Sequence, residues 1–273
     1  MIGRRRRAAD AAPSRRIPRT GLIVRGATGV AALVAASELL GRAGIVHRDF
    51  FPPASAVLLR AAELATDPDF LTDLRITLTA WFLGLLIAIA VAVPAGVLLG
   101  SVPLVNTAVQ AIVEFLRPIP SVALVPLVAL LLGTELDMKL TVIVYASAWP
   151  ILYNTVYGLR DVDPLAKETL RTFGFGRLAV MWRVSIPATA PFIATGVRMA
   201  AAVALILTVT AEMFGGFGDG LGVFAAQAQN VPGGIDDTLA VAVWAGLLGL
   251  AANAALVAGE RRLFRWQYHG HSH

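Results

Sequence analysis

Side chains that do covalent or acid–base chemistry are scarce in this chain. There is no cysteine, which removes a thiol nucleophile, a disulfide framework and a thiolate metal site. Histidine occurs only as His47, His269, His271 and His273, so no apolar segment offers a histidine base or a pair of metal ligands. The last three read as an idle tail rather than a metal site. Lys139 and Lys167 are the only lysines, and neither ends a glycine-rich run before Ser or Thr. A phosphate-cradling P-loop is therefore absent, and the chain is not expected to hydrolyse ATP or to act as an enzyme. Gly216-Phe217-Gly218-Asp219 matches the Gly-x-Gly-Asp of intramembrane aspartyl proteases. That chemistry needs a second carboxylate sharing a proton at close range, and no other Asp falls in an apolar span. The glycines read as a turn.

The patterned polar segment is residues 158–187, GLRDVDPLAKETLRTFGFGRLAVMWRVSIP. Asp163-Pro164 is a helix start, an N-cap carboxylate followed by proline at the first helical position. Ala166, Leu170 and Phe173 fall at i, i+4 and i+7, which makes one apolar face. Lys167, Glu168, Arg171 and Thr172 lie largely off it, and Gly174 stands where a C-terminal cap belongs. A second short helix is expected over Leu178 to Val184, leading to Pro187. The spacing fits two roles equally: a helix lying on a membrane surface, or a docking element for a partner.

Five charged residues interrupt otherwise apolar stretches: Glu38, Glu114, Arg117, Arg198 and Glu212. A charge facing lipid is costly, so each must face protein or a water-filled cavity. Arg117 stands beside Pro118 and Pro120, whose break frees backbone groups that need partners inside the bundle. Arg117, Pro118, Pro120, Arg198 and Glu212 are the candidates for a solute path, because an anion needs positive potential along its route. The structural alternative, which the residue types favour, is ion pairing, for example Glu114 with Arg117 on one helix face.

The surrounding composition states what holds these residues. Of 273 residues 57% are hydrophobic and 15% charged, and the mean hydropathy is +0.71. A soluble domain carries about 25% charged residues. A soluble enzyme and a disordered chain are both excluded. Three stretches lack any charge: Ile76 to Gly100, Leu140 to Leu159 and Thr238 to Gly259, of 25, 20 and 22 residues. About 20 suffice to cross a bilayer as a helix. Three weaker stretches are Leu22 to Leu40, Val105 to Leu132 and Pro187 to Phe214. Ala35-Ala36-Ser37 has the form of a signal-peptide cleavage site, but five further spans behind it favour a first transmembrane helix.

The expectation is an all-α polytopic membrane protein with six transmembrane helices, the third kinked or split by Pro118, Pro120 and Pro126. A basic tail over 1–21 precedes a first span at 22–43. The core, 74–259, holds spans at about 76–100, 105–132, 139–159, 187–214 and 238–259, with the polar loop 158–186 between the fourth and fifth. Residues 260–273 form a tail. Threading six spans from a cytoplasmic N-terminus puts 16 of the 23 Lys and Arg inside and five outside, Lys139 among the five. Both termini are thus expected in the cytoplasm of a multi-pass cell-membrane protein. The basic excess serves topology, and no nucleic-acid partner is expected.

The loop resembles that of a known family. Glu168-Thr169-Leu170, three residues, Gly174, nine residues, then Val184-Ser185-Ile186-Pro187 keeps the spacing of Glu-Ala-Ala, Gly and Ile-x-Leu-Pro in the permease subunits of bacterial ATP-binding-cassette importers. Thr and Leu replace the two alanines, and Val and Ile replace Ile and Leu. Asn154, Gly158-Leu159, Val162-Asp163, Arg117-Pro118-Ile119-Pro120-Ser121, Pro126-Leu127, Gly196-Val197-Arg198, Ala211-Glu212, Gly220-Leu221-Gly222 and the FRWQY ending are similar to the group that handles aliphatic sulfonates, taurine and nitrate. The likeness runs from about Phe51 to Tyr268.

The resemblance implies a type I importer permease fold, working as a homodimer in membrane lipid with ATPase subunits and an extracytoplasmic solute-binding protein. ATP and Mg would be bound by the ATPase partner, with no cofactor in this chain. It also implies that the loop helix is a coupling helix seated in a groove of the ATPase. Ala166, Leu170 and Phe173 would bury there, Glu168 and Arg171 would set register, Gly174 would allow the turn, and Asp163 and Pro187 would frame the segment. An ion-gradient-driven secondary transporter is the alternative, but no internal repeat is evident and the loop motif would go unexplained.

Overall fold

The computed structural model of the protein describes residues 19–44, 47–48, 50–215 and 218–264. The basic tail through Arg16, Gly216 and Phe217 of the Gly-x-Gly-Asp run, and the tail with His269, His271 and His273 lie outside the described residues. Among the described residues every regular element is helical.

Two compact units divide the chain at Ser55. The first contains α1 (Arg19–Arg42). Its Glu38, expected to need a partner, accepts hydrogen bonds from Arg42 Nε at 2.6 Å and from the Ser55 backbone N–H at 2.9 Å.

The second unit runs from α2 (Ala54–Leu64) through α3 (Pro68–Ser101), α4 (Pro103–Leu116), α5 (Leu124–Leu132), α6 (Glu135–Asp161), α7 (Pro164–Thr172), α8 (Arg177–Val180), α9 (Ile186–Gly215) and α10 (Leu221–Ala228) to α11 (Ile235–Leu263). Local chemistry sets the starts. Asp67 Oδ1 accepts from the Asp69 and Phe70 N–H groups, with Pro68 in the first turn of α3. Thr134 Oγ1 accepts from Asp137 N–H, and Glu135 and Asp137 sit in the first turn of α6, where negative charge suits the helix dipole.

Helices α3, α6 and α9 form the centre of the unit. One cluster joins Ala80, Met138, Val142, Ile143, Ala204 and Ala211; another joins Leu85, Ala88, Ala92, Ile151, Leu152 and Ala200. Alanine dominates the α3 and α9 sides because close helix approach needs small residues. At Gly96 a Cβ would come within 2.6 Å of Thr155, so no larger residue fits there.

Four helical stretches are long and apolar enough to cross a membrane: Val24–Arg42, α3, Arg177–Gly215 and α11. A fifth is α4 with Ser121–Leu132, bent by 71°. The break falls at Arg117 to Pro120, as the prolines predict, while Pro126 sits in the first turn of α5, where its missing N–H is not needed. Length and composition therefore give four or five spans, where six were expected. The difference is α6. Its 27 residues include the charge-free stretch Leu140 to Leu159, but charge-free is not the same as apolar. Ser147, Asn154 and Thr155 lie in it and bond to backbone carbonyls of α9 and α6. A helix surrounded by protein needs less apolar surface than one facing lipid.

The expected separate helix over Leu178 to Val184 is corrected. After α8, Met181–Ser185 winds as a π-helix straight into α9, with the Ile186 N–H bonded to Met181 O. Pro187 has no N–H to donate and its ring would strike the carbonyl four residues back. The wider turn accommodates it, so Pro187 lies inside a continuous helix instead of ending one.

Candidate functional site

The loop helix α7 starts as its sequence dictates. Asp163 Oδ1 accepts from Leu165 N–H at 2.8 Å, and Pro164 follows. It ends in a double cap: Gly174 N–H bonds to Arg171 O and Phe175 N–H to Leu170 O, with Gly174 at φ +83°. That left-handed conformation costs a residue with a Cβ about 1–2 kcal/mol. Both ends of the helix are thus pinned. Lys167 Nζ reaches Leu159 O at 3.3 Å and ties α7 to the end of α6.

The expected single apolar face is rearranged. Ala166 and Leu170 are half-buried toward the bundle, whereas Phe173 is 78% exposed. Leu165, which the helical spacing left out, is exposed too, as are Leu178 and Trp182 beyond the turn. Glu168 is exposed, while Arg171 lines a groove between α7 and the ends of α3 and α6.

The intramembrane charges separate into three environments. At the elbow between α4 and α5, Arg117 stacks over the Tyr153 ring at 4.7 Å. Among the described residues it forms no ion pair with Glu114, whose carboxylate instead accepts from Gln110 at 2.6 Å. Tyr145 donates to Leu116 O at 2.6 Å and meets Trp149 edge-on. Tyr145, Trp149 and Tyr153 recur every four residues, one face of α6 turned to the elbow. Trp149 Nε1 is a buried donor without a hydrogen-bond partner. A cavity of about 340 Å³ opens between α4 and α6, with Arg117, Arg160, Glu114 and Asn106 in its lining. Pro118 and Pro120 contribute the bend that exposes Arg117 to it.

Arg198 is paired: its Nη1 lies 3.3 Å from Glu260 on α11. Glu212 is paired more deeply. Its carboxylate accepts from Thr77 Oγ1 and from Gly222 N–H and lies 3.2 Å from Lys139 Nζ. Lys139 also pairs with Glu135 and donates to Asp219 O at 2.7 Å. Lys139, counted by sequence with the outer cations, is buried in the bundle at 1% exposure. Four helices, α3, α6, α9 and α10, are clamped at this point. Ala211-Glu212 and Gly220-Leu221-Gly222 marked two of its parts in the sequence. Nothing in the sequence pairs them with Lys139 and Thr77, or marks the aromatic row on α6.

Residues 84–265 match the family of binding-protein-dependent transport system inner membrane components. The chain belongs to that family. It is therefore a multi-pass membrane transport permease of ABC type, and its family works with a binding protein. It is 35% identical to an ABC transporter permease protein of Methanocaldococcus jannaschii over 67% of this chain and 68% of that one. It is 30% identical to a nitrate import permease of Leptolyngbya laminosa over 69% of this chain and 67% of that one. It is 28% identical to the taurine transport permease of Escherichia coli over 80% of each. The match covers α7 and the elbow, so the two sites described above lie within the shared region.

Proposed function

We propose that this permease forms one half of an ATP-driven importer for a small anion of the nitrate, taurine or sulfonate kind. It takes the anion from an extracytoplasmic binding protein and releases it into the cytoplasm. Two ATPase subunits bind ATP and Mg, and α7 with both termini lies on their side of the membrane. A second copy of the chain completes the path, and α6 is the sixth span, passing through a ring of protein.

The observation that carries this reading is α7 itself. A short helix, capped at both ends and tied to α6, presents Leu165 and Phe173 to the outside of the bundle. An exposed aromatic on a rigid lever suits a groove in a partner. The anion is supported by Arg117, which lines a cavity with Arg160 and makes no ion pair among the described residues, Glu114 in the same lining accepting from Gln110, and by the relatives' substrates. Helix α4 has no buried residue, and Leu104 and Phe115 project from it. A second copy or lipid covers such a face.

Uptake in proteoliposomes tests the whole. With the ATPase, the binding protein and internal ATP present, taurine or nitrate should accumulate, and omission of ATP should abolish it. Uptake that persists without the ATPase and collapses with an ion gradient would replace this reading with secondary transport.

A further inference from the structure

The groove behind α7 shares no lining residue with the cavity at Arg117. It has a volume of about 340 Å³ and lies between α7, the end of α3 and the start of the Arg177–Gly215 helix. Three cations line it, Lys167, Arg171 and Arg177, and no carboxylate does among the described residues. Neither guanidinium makes an ion pair there among the described residues; Glu168, the nearest acid by sequence, is exposed and outside the lining, and Asp163 caps α7. Like charges held together without a counter-charge repel one another, and a bound anion relieves that repulsion.

The position of the groove narrows the anion. Gly100 and Ser101 line it from the end of α3 and Leu159 from the end of α6, and the ends of membrane-crossing helices lie near the headgroups. Beside the cations, Leu178 and Trp182 are 77% and 66% exposed. Trp is enriched at that depth because its ring suits the boundary between acyl chain and headgroup. Arginine presents a fork of N–H donors that fits phosphate oxygens two at a time. We infer that Lys167, Arg171 and Arg177 form a phosphate-binding groove that holds the headgroup of an anionic phospholipid, with Leu178 and Trp182 against its acyl chains. The lipid would wedge the inner side of α7 while Leu165 and Phe173 remain free on the outer side. Arg171 would then serve the lipid and not the partner's rim.

Native mass spectrometry of the full chain, released from detergent micelles containing phosphatidylglycerol or phosphatidylcholine, reads the bound lipid directly. The wild type should keep phosphatidylglycerol and shed phosphatidylcholine. Lys167→Gln/Arg171→Gln/Arg177→Gln should lower phosphatidylglycerol affinity roughly tenfold or more, since each cation near the surface contributes to anionic-lipid attraction. Lys167→Arg/Arg171→Lys/Arg177→Lys, which keeps the charge, should retain it. Arg261→Gln/Arg262→Gln, which removes exposed cations on α11, should change it less than about twofold. Equal retention of the two lipids by the wild type would overturn the proposal without recourse to any variant. So would an equal loss in the α11 variant, or displacement of the lipid by inorganic phosphate at millimolar concentration, which would mark a free-anion site. Unchanged lipid binding in the glutamine variant, with weaker capture of the ATPase, would assign the cations to the protein partner and also overturn it.

Discussion

The Lys139 ammonium lies 3.2 Å from the Glu212 carboxylate, and neither side chain reaches solvent. Glu212 is also held by Thr77 and Gly222, so the pair joins α3, α6, α9 and the start of α10. Breaking such a pair by removing one partner leaves a charge stranded, at a cost of about 3–5 kcal/mol. Lys139→Met should therefore destabilise the purified permease by that order in thermal unfolding. Lys139→Met/Glu212→Met should recover a large part of it, because no fully buried charge remains; Glu135 is 29% exposed and keeps the Asp219 N–H.

Close packing makes the second prediction. Gly96 on α3 faces Thr155 on α6 with no room for a Cβ. Gly96→Leu should force the two helices apart and cost about 1–3 kcal/mol, the range for overpacking. Thermal unfolding in the same micelles checks this.

Arg198 should matter little. Its pair with Glu260 is partly exposed, with 37% of the arginine side chain accessible. Exposed pairs contribute about 0.2–1 kcal/mol. Arg198→Ala should shift stability by no more than that and leave uptake close to the wild-type rate. A large loss of uptake with normal stability would move Arg198 into the solute path.

Arg117 should behave in the opposite way. It has no carboxylate partner among the described residues, only the Tyr153 face. Arg117→Gln should leave unfolding nearly unchanged and reduce anion uptake by about tenfold, the loss of one charge–anion contact of about 1.4 kcal/mol. Initial uptake rates, compared at matched protein content, decide it.

The apolar helices and the proline elbow are legible in the sequence because periodicity, length and missing N–H groups are local properties. The caps of α7 are legible for the same reason: Asp163-Pro164 and Gly174 act within a few residues. The tertiary pairings are not. Lys139 reads only as one of the outer cations that set topology, and its buried partners, Glu212 from α9 and Asp219 from before α10, arrive from far along the chain. Arg117 and Glu114 have the spacing of an ion pair, yet the bend at Pro118 turns the guanidinium to Tyr153. Helical spacing groups Ala166, Leu170 and Phe173, but the turn at Gly174 leaves Phe173 facing out with Leu165. The helix through Pro187 continues because a π turn makes room for the ring, a device with no sequence signature of its own.

In the proposed function α7 carries motion between this permease and an ATPase. Gly174 holds its C-terminal cap at φ +83°. Gly174→Val loads that cap with about 1–2 kcal/mol of backbone strain or more. The direct measurement is the ratio of solute taken up to ATP hydrolysed in proteoliposomes containing the whole complex, for the wild type and Gly174→Val. The variant should insert and assemble, and its ratio should fall by about tenfold. An unchanged ratio in an assembled Gly174→Val complex would contradict it.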